Sequence, residues 1–154
     1  MISTADLYDL HGDALQSLPL QLRSFGGLLR FEGRIRTVRC FQDNALVKRI
    51  LQTPGDGAVL VVDGAGSLET ALMGDMIAQS AVDSNWAGVV INGCVRDSVA
   101  LLGMPLGIKA LGTNPRKSTK VGTGEVDVVV EFGGVTFRPG ALLHADEDGI
   151  LVER

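Results

Sequence analysis

Aromatic side chains are scarce in this sequence: five Phe, one Trp and one Tyr make up 5% of its 154 residues. That is too few for the stacking platform on which single-stranded nucleic acids lie. Surplus positive charge is missing as well. The formal net charge is −4 and the pI about 5.1, so no overall field gathers phosphates, and direct nucleic-acid binding is not expected. Cysteine is limited to Cys40 and Cys94, each alone in an apolar run and without Cys-x-x-Cys spacing. This excludes a disulfide framework and predicts buried free thiols in a reducing compartment. His11 and His144 lie far apart, with no His-x-x-x-His spacing, so no zinc site is expected. No apolar run approaches the roughly 18 residues of a membrane helix. The opening Met-Ile-Ser-Thr-Ala-Asp also lacks the basic-then-apolar plan of a signal peptide. A cytoplasmic protein that does not touch membranes is the expectation.

What is present is an apolar chain: 45% of residues are hydrophobic and 21% charged, and the mean hydropathy is +0.24. The length suits one domain over residues 1–154, and the apolar excess suits a subunit interface. The 20 glycines are scattered between apolar runs, with neither a repeat nor a low-complexity linker. Short β-branched runs predict strands over residues 35–40, 58–62, 88–91, 126–132 and 135–137, with Gly133-Gly134 turning a tight hairpin. Apolar spacing predicts helices over 44–52, capped by Asp43, over 75–82 with Met76, Ile77, Ala78, Ala81 and Val82 as its stripe, and over 96–102. Alternating strands and helices followed by a strand-rich end predict a single-domain α/β fold in three ββα layers with mixed sheets.

Ligands of α/β sheets gather where strand C-termini meet helix N-termini, because free amides and the helix dipole favour anions there. Two segments provide such ends. Gly74-Asp75-Met76-Ile77 allows close backbone approach and opens a helix. Val89 to Val95 is a buried strand that delivers Arg96 and Asp97 side by side. A guanidinium can grip the carboxylate or enolate oxygens of a 2-oxo acid, while the neighbouring carboxylate can hold a hard cation. The bland alternative is that Asp97 caps its helix and Arg96 makes a surface ion pair.

Asp75, the twenty residues Met76 to Val95, and then Arg96-Asp97 resemble the signature of the RraA-like class II aldolases. Arg39 to Asn44, Val61 to Leu68, Asn85 to Gly88 and Phe132 to Gly140 resemble the same family, so the similarity spans nearly the whole chain. The resemblance implies a swivelling-domain-like fold and a lyase that cleaves 4-hydroxy-4-methyl-2-oxoglutarate or 4-carboxy-4-hydroxy-2-oxoadipate to pyruvate. The same pyruvate enolate would allow oxaloacetate decarboxylation. By the same resemblance Asp97 is the protein ligand of Mg²⁺ or Mn²⁺ and Asp75 holds waters of that ion. Arg96 contacts the keto oxygen, and Gly74, Asp75, Met76 and Ile77 bind substrate; Asp75 and Arg96 are the catalytic pair. The implied assembly is a homotrimer or a dimer of trimers.

The family also includes regulators that bind ribonuclease E and inhibit RNA processing without turnover. They lack the complete acidic signature, whereas both Asp75 and Asp97 stand here. A Schiff-base aldolase is disfavoured because none of Lys48, Lys109, Lys117 and Lys120 lies in a plainly apolar pocket motif. Val62-Asp63-Gly64-Ala65-Gly66 prompts a methyltransferase or dinucleotide reading, but Glu69 occupies the third glycine position and a simple turn accounts for the glycines. Asn114 to Lys120 is read as a solvated basic loop, with the tail of an anionic substrate or a protein as its other conceivable partner.

Overall fold

The structure, a computed structural model, describes residues 1–154. Its elements are α1 (Thr4–His11), β1 (Leu15–Ser17), β2 (Arg23–Ser24), β3 (Phe31–Arg39), α2 (Ala45–Leu51), β4 (Val59–Asp63), β5 (Ala71–Met73), α3 (Asp75–Asp83) and β6 (Gly88–Val95). They continue as α4 (Ser98–Leu102), β7 (Gly107–Thr113), β8 (Glu125–Val126), β9 (Val130–Phe132), β10 (Val135–Phe137), β11 (Leu142–Asp146) and β12 (Gly149–Glu153). Strands β3, β4, β6 and β7 run parallel, as expected of β-branched runs joined through helices. The path extends antiparallel through β11, β12 and β1 on one side and β2 on the other. The fold is mixed α/β with mixed sheets.

Alternation along the parallel strands divides the interior into two cores. Val38, Leu60, Val62, Val89 and Ile91 pack with Leu46, Val47, Ile50, Leu51, Ile77 and Ala81 of the helices. Ile35, Val59, Val61 and Val90 face the other way, onto Val130, Phe132, Phe137, Leu143 and Val152. Helices therefore cover one face of the parallel strands and antiparallel strands cover the other, which is the ββα layering. All eight residues of β6 are buried, as a strand sandwiched on both faces must be.

Several local expectations need correction. The run 126–132 is two strands, β8 and β9. Asp127 takes a positive φ of 57° between them and turns its carboxylate onto Arg36 at 2.8 and 3.0 Å. Met76 is not part of an apolar stripe: it is 83% exposed, while Ile77, Ala78 and Ala81 are buried. The helix expected over 96–102 is α4 and begins at Ser98, because Asp97 sits in the left-handed region (φ 59°) with no side-chain cap bond to its own helix. Asp43 lies one residue before the N-cap Asn44 and is 1% exposed. Its carboxylate accepts from Ala45 N but also from a distant loop. Lys109 is 3% exposed on β7, its Nζ donating to the Asp146 carbonyl at 2.7 Å. Burial lowers its pKa, so one lysine does lie in a desolvated setting.

No helix is long and apolar enough to cross a membrane.

Candidate functional site

β5 and β6 pair in parallel and end together, which brings Gly74 against Arg96 and Asp97. The Arg96 amide donates to Met73 O at 3.0 Å, fixing the chain at both strand exits. An ideal Cβ at position 74 would stand 2.5 Å from Asp97 Oδ2 and 3.2 Å from Arg96 Cγ, so any side chain there would displace the Asp97 carboxylate. Asp97 Oδ2 accepts from the Asp75 amide at 2.9 Å. The carboxylate thus satisfies the first turn of α3 rather than that of α4. The first backbone bond of α3 is Ala78 N to Gly74 O, and no bond engages the amides of Met76 and Ile77, which leaves them open.

These residues line a cavity of about 260 Å³. Gly74, Asp75, Met76, Ile77, Arg96 and Asp97 all contribute to its wall, so every residue singled out from the sequence lies on one cleft. Lys48, Lys117 and Lys120 add three further cations. Neither Arg96 nor any of these lysines has a carboxylate partner, whereas Arg30, Arg34, Arg36 and Arg39 are each paired with an acid. The expected alternative of a surface ion pair for Arg96 is not found; its Nη1 reaches the Pro115 carbonyl at 3.4 Å. Four cations and two carboxylates leave this cleft positive on a chain of net charge −4.

Sequence reasoning did not find Asn44. It is 7% exposed, lines the cleft, and its Oδ1 is the one buried side-chain polar atom with no hydrogen-bond partner. A buried acceptor without a partner costs about 1–3 kcal/mol, a cost that a ligand donor would offset. Nothing in the local sequence marks it, because its place on the wall depends on how α2 packs beside β5 and α3. Lys117 and Lys120 of the 114–120 loop are exposed, as expected of a solvated basic loop. The loop is nevertheless anchored beside the cleft: Ser118 is 4% exposed and bonds to Thr70 and to the Ala71 carbonyl.

Cys94 and Cys40 are both buried thiols. Burial raises both, Cys40 to about 12 with Asp43 and Asp63 adding to the effect, so neither supplies a thiolate near neutral pH. In the glycine turn after β4, the amides of Gly64 and Gly66 both donate to Asn92 O. They are used within the fold and are not left to cradle a cofactor phosphate.

The RraA-like family model, described as Aldolase/RraA, matches residues 4–152. Among solved structures, a Geobacillus kaustophilus protein described as an S-adenosylmethionine:2-dimethylmenaquinone methyltransferase is 51% identical, with a TM-score of 0.97 over 99% of this chain and 94% of that one. The RNA-processing inhibitor RraA from Thermus thermophilus is 50% identical, with a TM-score of 0.95 over 99% and 92%. Streptomyces coelicolor RraAS2, described as an unusual member of the RNase ES inhibitor family, is 28% identical, with a TM-score of 0.79 over 98% and 79%.

Proposed function

The chain belongs to the RraA-like family, and from that premise we propose that its cleft is catalytic: a divalent-metal-dependent lyase that cleaves 4-hydroxy-4-methyl-2-oxoglutarate or 4-carboxy-4-hydroxy-2-oxoadipate to pyruvate and decarboxylates oxaloacetate. The observation that carries this reading is the joint placement of an unpaired guanidinium, a carboxylate on a glycine-tight turn and two open helix amides on one wall. That set suits an anion that gains charge during reaction.

The donor set fits Mg²⁺ or Mn²⁺. No group of three His, Cys, Asp or Glu side chains surrounds the cleft, which argues against a closed all-protein cage. Mg²⁺ is ordinarily held by one or two carboxylates, with water and substrate completing its octahedron. Asp97 would be the direct ligand and Asp75 would act through water. When bound, such an ion supplies Lewis acidity that withdraws charge from the keto oxygen of the substrate.

The protein's own groups do the rest. Arg96 donates to the keto oxygen and stabilises the pyruvate enolate left as the C3–C4 bond breaks. The amides of Met76 and Ile77 receive the C1 carboxylate at the positive end of α3. For the aldol substrates, Asn44 Oδ1 accepts the C4 hydroxyl, and Lys117 and Lys120 meet the distal carboxylate, which keeps its charge as the C3–C4 bond breaks. Departure of a second oxo acid and departure of carbon dioxide generate the same enolate, so one site serves both reactions.

The test is pyruvate release from each substrate with Mg²⁺, with chelator, and with Asp97→Ala. Turnover should vanish with chelator and fall by about 10³-fold or more in the variant, the scale on which a principal charge-stabilising group acts. Turnover that survives both treatments rejects the proposal.

A second reading, regulation of ribonuclease E, is favoured by the half-identical RNA-processing inhibitor. Capture of ribonuclease E by a protein that releases no pyruvate would select it. Met76, Val99 and Leu102 are 83%, 87% and 60% exposed, which suits their burial between copies in a homotrimer or dimer of trimers.

A further inference from the structure

Asp43 takes no part in the chemistry proposed above, yet its buried carboxylate satisfies four donors. Oδ1 accepts from Ala45 N at 3.2 Å and Gly122 N at 3.1 Å; Oδ2 accepts from Thr119 Oγ1 at 2.9 Å and Val121 N at 2.7 Å. The backbone is stitched at the same place: Asn44 N donates to Thr119 O and Thr119 N to Gln42 O, both at 3.0 Å. Three of the four donors flank Lys120 and follow Lys117, the two cations this loop brings to the cleft. On the other side Asp43 directly precedes Asn44, whose Oδ1 is unpartnered.

We infer that Asp43 is a positioning residue, a buried latch tying the basic loop to the start of α2 so that Lys117, Lys120 and Asn44 stand in place before the distal part of the substrate arrives. This rests on the catalytic reading above. The latch requires a carboxylate, because all four partners donate and an amide would turn an NH₂ group toward some of them. Without it, the loop must be ordered at the moment of binding, and the cost falls on substrate capture and not on the bond-breaking step.

The test compares Asp43→Asn, and the milder Thr119→Ala at an exposed residue, with wild type in the presence of Mg²⁺. Native-state trypsin cleavage after Lys117 and Lys120 reports the latch itself. Steady-state cleavage of 4-hydroxy-4-methyl-2-oxoglutarate, whose distal carboxylate keeps its charge as the C3–C4 bond breaks, reports its consequence together with inhibition by oxalate, since oxalate mimics the pyruvate enolate but carries no distal group. In both variants cleavage should quicken severalfold. The KM for 4-hydroxy-4-methyl-2-oxoglutarate should rise about tenfold with kcat within about twofold, while inhibition by oxalate stays unchanged. A merely structural role would weaken oxalate in parallel and lower kcat. That pattern, an unchanged KM or cleavage at the wild-type rate would overturn the inference. If Asp43→Asn does not fold, Thr119→Ala decides alone. A wild type that turns over no 2-oxo acid rejects the catalytic reading, and the role in capture falls with it; an active wild type with indistinguishable variants rejects only the latch.

Discussion

A methyl group at position 74 is the smallest change that probes the cleft. Gly74→Ala would place a carbon 2.5 Å from Asp97 Oδ2, pushing the carboxylate off the Asp75 amide. We expect metal affinity, read by Mg²⁺ titration of activity, to weaken by about 10–100-fold, as when the group that orients a ligand is lost. The melting temperature should change little, since the residue lies at a partly exposed strand exit. The cysteines make a complementary prediction. Cys40 and Cys94 are 4% and 1% exposed and both thiols are pushed up by burial. Neither should react with a thiol reagent at pH 8 until denaturant is added, and prompt labelling of the native protein would contradict the packing described.

The hairpin of β9 and β10 is the element on which the second core depends. Phe132 pairs with Val135 across Gly133 and Gly134, whose φ values of 58° and 77° require a left-handed turn. Gly134→Ala should destabilise by about 1–2 kcal/mol through that conformation alone, because no neighbouring atom obstructs a Cβ there. Phe137 is fully buried and stacks on Phe132 with centroids 4.4 Å apart. Phe137→Ala should cost about 3–5 kcal/mol, measured by denaturant unfolding. Because this core lies across the sheet from the cleft, the surviving folded fraction should keep its kcat. The short β8 is held differently, by Arg36 gripping Asp127 while its guanidinium lies 5.9 Å from the Trp86 ring.

For the molecule as a whole, charge and pH act through a few carboxylates. Burial opposes the charge of Asp43, but the amides of Ala45, Val121 and Gly122 and the Thr119 hydroxyl outweigh it and hold the carboxyl below its ordinary value. Asp146, gripped by Thr4 and by the Asp148 and Gly149 amides, is lowered against burial in the same way. Asp127 is lowered chiefly by Arg36. A carboxyl with a depressed folded-state pKa contributes stability that is complete above its unfolded value, near 4, and lost as pH falls through the folded value. Stability should therefore be flat from pH 7 to about 5 and fall steeply below 4, and Asp43→Asn should flatten that fall. The positive cleft on a negative chain predicts that the KM for a dianionic substrate rises with ionic strength, while kcat does not.

Much of this was legible in local sequence, where a physical rule acts over short range. Alternation and β-branching placed β3, β4, β6 and β10, and the Gly-Gly pair placed the hairpin. Gly74-Asp75 and Arg96-Asp97 marked the strand exits as the place for an anion. The short edge strands β1, β2 and β5 were not legible, because two or three residues carry no period of their own and take their conformation from the strands they join. The wider roles of Asp43 and Asn44 were not legible for a related reason, and the exposed Lys117 and Lys120 are solvated as expected while also lining the cleft. Asp43 looks like a cap and Asn44 like a helix start until a segment more than seventy residues away folds against them. By itself the sequence determined the layers, the two turns that meet at the cleft and the types of group that meet there. Only the tertiary structure decided that Asp97 serves the helix of Asp75 rather than its own, that Arg96 is unpaired, and that a basic loop lines the cleft. Pairing and burial belong to side chains brought together across the chain, and no local pattern encodes which partner arrives.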